Sequence, residues 1–186
     1  MADEPSGRGL IGGTEKRRIE IVDYDPNWLE KFETHARLIA GALGISALQV
    51  EHVGSTSVQG LAAKPIIDIL VVVADSASES AYLPRLEAAG YVLRVREPDW
   101  NEHRMLRTPE KDVHVHVYSA GCAEIERVLA FRDRLRRNAG DRTRYERTKR
   151  VLAAQEWPDM NAYAEAKTEL IESILAASRA AGEISR

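Results

Sequence analysis

Apolar and polar positions along this chain predict a mixed α/β core followed by a run of helices. Ile19-Glu20-Ile21-Val22-Asp23 alternates with period two, the pattern of a half-buried strand. Asp25-Pro26 then supplies a capping carboxylate and a proline at the first helical position. Trp28, Phe32, Ile39 and Leu43 form one helical stripe, which Gly44 ends. Leu48 to His52 reads as a second strand. Ile66 to Val73 is almost wholly aliphatic, which predicts a strand covered on both faces. A helix from about Glu79 to Ala89 ends at Gly90. Tyr91–Arg96 and Arg104–Arg107 read as strands around the turn Pro98-Asp99-Trp100-Asn101. In a further strand Val113, Val115 and Val117 alternate with His114, His116 and Tyr118. From Ala123 onward the periodicity is helical, with breaks near Asn138-Ala139-Gly140-Asp141 and at Trp157-Pro158. The fold class is therefore α+β with a mixed sheet and C-terminal helices.

With 186 residues the chain suffices for one domain with a sizeable core. Residues 18–186 read as that domain, divided into an α/β core over 18–120 and a helical part over 121–186. Met1 to Thr14 is polar and glycine-rich without an apolar stretch, so residues 1–17 read as a flexible tail and no secretory signal is expected. The longest aliphatic runs, such as Ile69 to Ala74, are of strand length and too short to span a membrane. One cysteine, Cys122, excludes an internal disulfide framework and fits a reducing, cytoplasmic setting. A net charge of −3 argues against a general nucleic-acid binder. The charge is uneven, however: between Arg127 and Arg150 ten Lys/Arg face three Asp/Glu. Such a block is either a solvated helical face or one wall of an anion cleft. The asymmetry also permits a homodimer.

The richest chemistry lies between Glu51 and Leu70. Gly54-Ser55-Thr56-Ser57 forms a small-residue turn after a strand, a place where backbone N–H groups and hydroxyls suit a phosphate. Asp68 then interrupts an aliphatic strand on the face of Ile66, Leu70 and Val72, where an ionised carboxylate needs hydrogen bonds or a cation. Together these features read as a metal-assisted phosphate site. The plainer reading is a capped turn followed by a strand whose Asp is bonded to the turn's backbone.

The same stretch resembles the signature of the nucleotidyltransferase superfamily, in which a Gly-Ser turn precedes a strand whose Asp-x-Asp pair holds Mg²⁺ on a nucleoside triphosphate. More closely, Glu51-His52-Val53-Gly54-Ser55-Thr56-Ser57-Val58 with Gly60-Leu61-Ala62-Ala63-Lys64-Pro65-Ile66-Ile67-Asp68-Ile69 resembles the GrpB-like family. The resemblance continues through His114–Tyr118, Phe131–Leu135 and Tyr163–Lys167, and so covers nearly the whole chain after about Arg18. It implies a nucleotidyltransferase-like core. It also implies an accessory setting, since GrpB-like domains occur joined to dephospho-coenzyme A kinases.

The departures from the superfamily pattern matter as much. Leu70 stands where the second carboxylate of the pair is expected, and the strand that would supply a third carboxylate offers His114 and His116. A set of Asp68, His114 and His116 suits Mg²⁺ less well than Mn²⁺ or Zn²⁺. His116 equally reads as a general base near neutral pH, and the His-x-His pair as substrate contacts or packing. His52 is placed to orient the turn.

Cations recur along apolar helical faces. Lys167 lies in the stripe of Tyr163, Leu170, Ile171 and Ile174; Arg132 lies four after Val128; Lys149 lies four after Tyr145 and three before Leu152. Each reads alone as a snorkelling side chain; together they suggest a cleft for phosphate or carboxylate. Lys64 and Arg104 are further candidates.

Two function classes remain open, with a third beside them. The first is nucleotidyl or phosphoryl transfer from a nucleoside triphosphate to a small-molecule substrate. Asp68 would hold a divalent metal and Gly54, Ser55, Thr56 and Ser57 would cradle the nucleotide phosphates. Lys64, Arg104, Arg132, Tyr145, Lys149 and Lys167 would line the nucleotide, and Asp68, His116 and Lys167 would act in catalysis. The second is a non-catalytic nucleotide- or anion-binding module, favoured by Leu70. The third is another enzyme on this scaffold, an ATP-using ligase or a hydrolase.

Overall fold

The computed structural model describes residues 9–182. Five strands, β1 Gln49–Val53, β2 Ile67–Val73, β3 Val92–Glu97, β4 His103–Arg107 and β5 Val113–Ser119, form one sheet in the order β1-β2-β5-β4-β3. The helices are α1 Asn27–Leu43, α2 Leu83–Ala88, α3 Ala123–Arg137, α4 Ala139–Ala153, α5 Met160–Glu165 and α6 Thr168–Ala180. After β2 the chain crosses to the far edge through α2 and returns by the β3-β4-β5 meander, so β5 lies parallel to β2 and every other pair is antiparallel.

β2 is aliphatic because it is central. Ile67, Ile69, Val71 and Val73 face Trp28, Ile39 and Leu43 of α1 and Leu86 of α2, and all are buried. On the other face Leu70 and Val72 pack with Val53, Tyr118 and Ile125 of α3. The helical half makes its own apolar cluster, in which Leu135, Tyr145 and Ile174 close over Val58 and Leu61. These two residues follow the turn at Gly54, so the packing of α3, α4 and α6 is tied to the loop that leads into β2. No helix among the described residues is long and apolar enough to cross a membrane.

The structure changes four expectations about elements. The strand expected over Ile19–Asp23 shrinks to one bridge, Val22 to Ala63, with N···O distances of 2.9 Å in both directions. Pro65, which has no N–H, stands where the ladder would continue. The helix expected from Glu79 begins as a 3₁₀ turn, Glu79–Ala81, and becomes α-helical only at Leu83, beside Pro84. The final helix is two: α5, capped by the Asp159 carboxylate on the N–H groups of Asn161 and Ala162, and α6, with Lys167 at the joint.

The fourth change concerns the expected tail, of which residues 1–8 lie outside the described residues. Residues 9–17 run beside β3, whose outer edge offers unpaired backbone groups. Leu10 bridges Val95, and the Ile11 N–H donates to the Arg94 carbonyl at 2.8 Å. The Arg94 guanidinium donates to the carbonyls of Ile11 and Gly13. Glu15 takes a bidentate pair from Arg107 (3.0 and 2.7 Å) and a third contact from Lys111 (3.1 Å), while its carbonyl accepts from the Met160 N–H at 3.2 Å. The segment thus straps α5 to the sheet edge.

The Arg107 hydrogen bonds lower the Glu15 pKa to about 2 from 4.5, against a burial effect that acts upward. A depressed carboxylate stabilises the fold above its unfolded pKa and loses that contribution as pH falls through the folded one. Glu15→Gln is therefore expected to destabilise the protein at pH 7. The gap should close between about pH 4.5 and 2, as read from denaturant unfolding of both proteins across that range.

Candidate active site

β1 ends at Val53, and the chain turns at Gly54 with φ 68° and ψ −173°, a conformation that favours glycine. Its backbone lies against Asp68: a Cβ built on Gly54 would sit 2.3 Å from Asp68 Oδ2 and 3.0 Å from Asp68 Cβ. The 3₁₀ turn Ser55–Ser57 follows. The Ser57 hydroxyl donates to the Gly54 carbonyl at 2.6 Å, and the Thr56 hydroxyl donates to the Ile66 carbonyl at 3.1 Å. The Thr56 proton is thereby committed, so the Thr56 oxygen accepts from His52 Nε2–H, 3.1 Å away. Burial, with charge from Arg136 and Arg132 acting the same way, lowers the His52 pKa to about 4 against the pull of Asp68. A neutral His52, stacked on Phe32 at 4.6 Å, holds the turn in place.

Parallel register sets Asp68 beside His114 and Leu70 beside His116 on one sheet face. Asp68 Oδ1 lies 3.5 Å from His114 Nδ1 and 3.5 Å from His116 Nε2. Burial pushes the Asp68 carboxyl up, but the two imidazoles override it and hold the group well below the usual carboxylate range. No backbone donor from the Gly54-Ser55 turn reaches this carboxylate among the described hydrogen bonds. One ligand atom from each of the three residues lies within 4.8 Å of the others.

A chain of partners behind His116 fixes its tautomer. Glu97 Oε2 lies 2.7 Å from His103 Nδ1, and His103 Nε2 lies 3.1 Å from His116 Nδ1. A carboxylate only accepts, so His103 Nδ1 bears the hydrogen. Burial lowers the His103 pKa and keeps it neutral, so its Nε2 accepts from His116 Nδ1–H. That leaves a lone pair on His116 Nε2 facing a carboxylate oxygen. A proton on that nitrogen or a divalent ion between the groups resolves the contact. One oxygen and two imidazole nitrogens, one of them backed by a second histidine and a carboxylate, fit such an ion.

A cleft of about 160 Å³ opens onto Asp68 and His114, lined also by Gly54, Ser55, Lys64, Tyr145, Lys149, Tyr163 and Lys167. Lys167 Nζ lies 4.0 Å and Lys64 Nζ 5.0 Å from the Tyr163 ring centre, and Lys149 Nζ lies 4.9 Å from that of Tyr145. Burial lowers the Lys149 pKa to about 7, with Glu146 opposing and Arg150 and Lys64 adding to the effect. Burial and then Lys64 and Lys149 lower Lys167 to about 7. Lys64 moves the same way for the same chief reason. None of the three forms an ion pair among the described residues.

Not every expected residue comes here. Thr56, Ser57 and Arg132 line a larger neighbouring cleft of about 750 Å³ with His52, Arg136 and Arg142. Arg132 is spent on Glu51 and Asp133, both at 2.8 Å, and on the His52 carbonyl at 3.2 Å, so it ties α3 to β1. Arg104 is buried on the opposite sheet face, where it pairs with Glu79 and Glu102. It lies opposite Val117, whereas its neighbours His103 and Met105 point to the His116 side. The sequence reading did not place His103 and did not include Glu97; only the β3-β4-β5 register shows them backing His116.

A family model described as GrpB protein matches residues 18–177, and the chain belongs to that family. A UPF0157 protein of Halalkalibacterium halodurans is 54% identical over 157 residues, covering 84% of this chain and 80% of that one. The crystal structure of the conserved protein GrpB from Enterococcus faecalis superimposes with a TM-score of 0.76 at 37% identity, over 86% of this chain and 96% of that chain. A cytoplasmic RNA terminal U-transferase is a distant neighbour, with a TM-score of 0.45 at 15% identity over 70% of this chain and 40% of its own.

The contact between Gly54 and Asp68 is testable. Gly54→Ala is expected to cost roughly 1–3 kcal/mol through its positive φ and its clash with the carboxylate. Asp68→Ala should recover part of that loss. A double-mutant cycle in denaturant should therefore show coupling, whereas additive effects would mean that the turn and the carboxylate are independent.

Proposed function

We propose that the cleft at Asp68 binds the triphosphate of a nucleotide with a divalent ion and transfers a nucleotidyl or phosphoryl group to a small-molecule acceptor. The observation that carries this reading is the convergence of three lysines, none with an ion-pair partner among the described residues, on a carboxylate and its two imidazoles at a Gly-Ser turn; Lys149 alone donates a hydrogen bond, to the Ala62 carbonyl. A desolvated ammonium group without an anion is costly, and one buried and two half-buried lysines in one cleft fit a polyanion.

Asp68, His114 and His116 would hold the ion, which when bound neutralises phosphate charge and polarises the phosphorus centre. Lys64, Lys149 and Lys167 would meet the charge that develops on the phosphate oxygens during transfer. Gly54 and Ser55 would bring backbone close to the phosphates, with His52 and Thr56 keeping the turn rigid behind them. His116 belongs with the ion rather than with the acceptor's proton, because Nδ1 is engaged by His103 and Nε2 faces Asp68. A non-catalytic nucleotide-binding module is the second reading. It is favoured by Leu70, whose burial leaves a single carboxylate at the ion. An ATP-using ligase or hydrolase would draw on the same groups.

Thermal unfolding with each common nucleoside triphosphate, with and without Mg²⁺, Mn²⁺ or Zn²⁺, tests the first reading. At about 100 times Kd a ligand adds roughly 2.7 kcal/mol, or about 5–11 °C for a domain of this size. The shift should require the metal and should be lost in Asp68→Asn. A full shift in that variant, or none with any triphosphate, would overturn the reading. Product formation in the positive mixture separates transfer from binding alone.

The lysines add a pH signature. With free pKa values of about 7, Lys149 and Lys167 are largely neutral at pH 8, and a bound triphosphate favours their charged forms. Binding should take up protons, and affinity should fall by up to about tenfold per lysine for each pH unit above 7. Calorimetry in two buffers of different ionisation enthalpy should show this uptake, and Lys167→Met should reduce it.

A further inference from the structure

We propose that a second, smaller cleft behind His114 is a subsite for a small free oxyanion, a carboxylate or inorganic phosphate, whose binding is coupled to the cation at Asp68. The inference rests on the cation reading given above for Asp68, His114 and His116. The cleft has a volume of about 120 Å³ and lies between the 9–17 strap, the sheet edge and α5. That is room for about four waters at roughly 30 Å³ each, or for one carboxylate or phosphate.

Its walls are positive. Arg17, Arg94 and Arg107 all line it. Glu15 answers Arg107 with two contacts and Arg17 with one at 3.3 Å, and is shared with Lys111. Among the described residues Arg94 has only the carbonyls of Ile11 and Gly13. The other carboxylate in the wall, Asp159, is occupied at the start of α5, where its Oδ1 accepts from Asn161 N–H and Ala162 N–H at 2.9 Å each. Two engaged carboxylates, Glu15 and Asp159, therefore face three guanidinium groups.

Two buried polar atoms without a hydrogen-bond partner belong to residues of this wall, Arg17 Nε and His114 Nε2. Among the described residues the only other such atom is the Tyr163 hydroxyl oxygen. His114 is the partition between the two clefts and lines both. Its Nδ1 is on the Asp68 side, at 3.5 Å from the carboxylate. When Nδ1 binds a cation, Nε2 must carry the ring hydrogen and becomes a donor. Arg17 Nε–H is a donor in any state. Two donors without an acceptor, in a small positive cleft, fit an anion's oxygen between them. That anion would in turn raise the basicity of the imidazole toward the ion. By linkage each ligand then tightens the other by the same factor.

The test measures Mn²⁺ binding to the whole protein from the free-ion electron paramagnetic resonance signal, in sodium acetate against sodium chloride at equal ionic strength. Inorganic phosphate is titrated separately without metal, followed by thermal unfolding. Acetate is expected to tighten Mn²⁺ about fivefold or more, and phosphate to raise the unfolding temperature. Both effects should vanish in Arg17→Leu. Arg17→Lys, which keeps the charge and loses Nε–H, should also fall short of wild type, and it serves if the leucine variant unfolds. Anion effects of equal size in wild type and both variants would place the anion elsewhere and overturn the subsite. Mn²⁺ binding that ignores acetate in a wild-type protein that also ignores phosphate would overturn the subsite while leaving the cation reading intact. If Mn²⁺ fails to bind but phosphate still stabilises wild type and not Arg17→Leu, the anion site stands and the coupling and the cation reading fall.

Discussion

The parallel pairing of β2 with β5 is the constraint on which the rest of this structure depends. Parallel neighbours point in the same direction at each register step, so the pair Asp68 and His114 fixes one face for the carboxylate and both imidazoles. Shifting β5 by one residue would send Val113, Val115 and Val117 to the polar face and the histidines into the apolar core. The fifteen-member cluster around Ile67, Ile69 and Val71 therefore enforces the geometry of the cleft. The hydrophobic effect, which has no directional preference, is here converted into the position of a ligand atom through the two-residue period of the strand.

The same face carries two environments. Toward the end of β2 it is apolar, with Leu70, Val72 and Tyr118 under α3. Toward the start of β2 and across β4 and β3 it is polar, with Asp68, His114, His116, His103 and Glu97. An apolar helix cannot close a polar face, and none does. Tyr163 of α5 and the joint at Lys167 come over it instead, held from the far side by the strap at Glu15. The lysines lose hydration on this face without gaining an ion-pair partner among the described residues. Local consistency of packing and charge holds throughout the core and lapses here, which is where a bound ligand would restore it.

Strand and helix types were legible wherever one apolar pattern ran for long enough, as in β2, β5, α1 and α3. Asp68, Lys149 and Lys167 were legible as polar groups on apolar stripes, because burying charge is rare enough to stand out. What the chain hides is register. Arg104 reads as a cation at the start of a strand and a candidate for the nucleotide, yet strand parity turns it away from the cleft, while its neighbour His103 faces His116. Arg132 has the helical spacing of a cleft residue but meets Glu51, which lies 81 positions away. Ile19–Asp23 has the alternation of a strand and lacks an uninterrupted partner, because Pro65 cannot extend the bridge. In each case the deciding contact is distant in sequence, and periodicity within one segment carries no information about it.

Leu70 joins these points into one argument. It is fully buried in the cluster of Val53, Val72 and Tyr118, with His116 beside it across the β2–β5 ladder. A second acidic side chain two residues after Asp68 would place a charge in this apolar cluster, at a cost of several kcal/mol unless His116 or a cation answered it. On the proposed reading the ion's other ligands come from β5, where the alternation that buries three valines sets two histidines on the face of Asp68. Imidazole carries no charge to neutralise a hard cation, but it can be strengthened from behind. The Glu97–His103–His116 chain does this on one side, and the cleft of Arg17 and Arg107 lies behind His114 on the other. A site with one carboxylate and two backed imidazoles tolerates a softer ion than one with three carboxylates. It also leaves more of the phosphate charge to be met by protein cations, consistent with the three lysines that crowd this cleft.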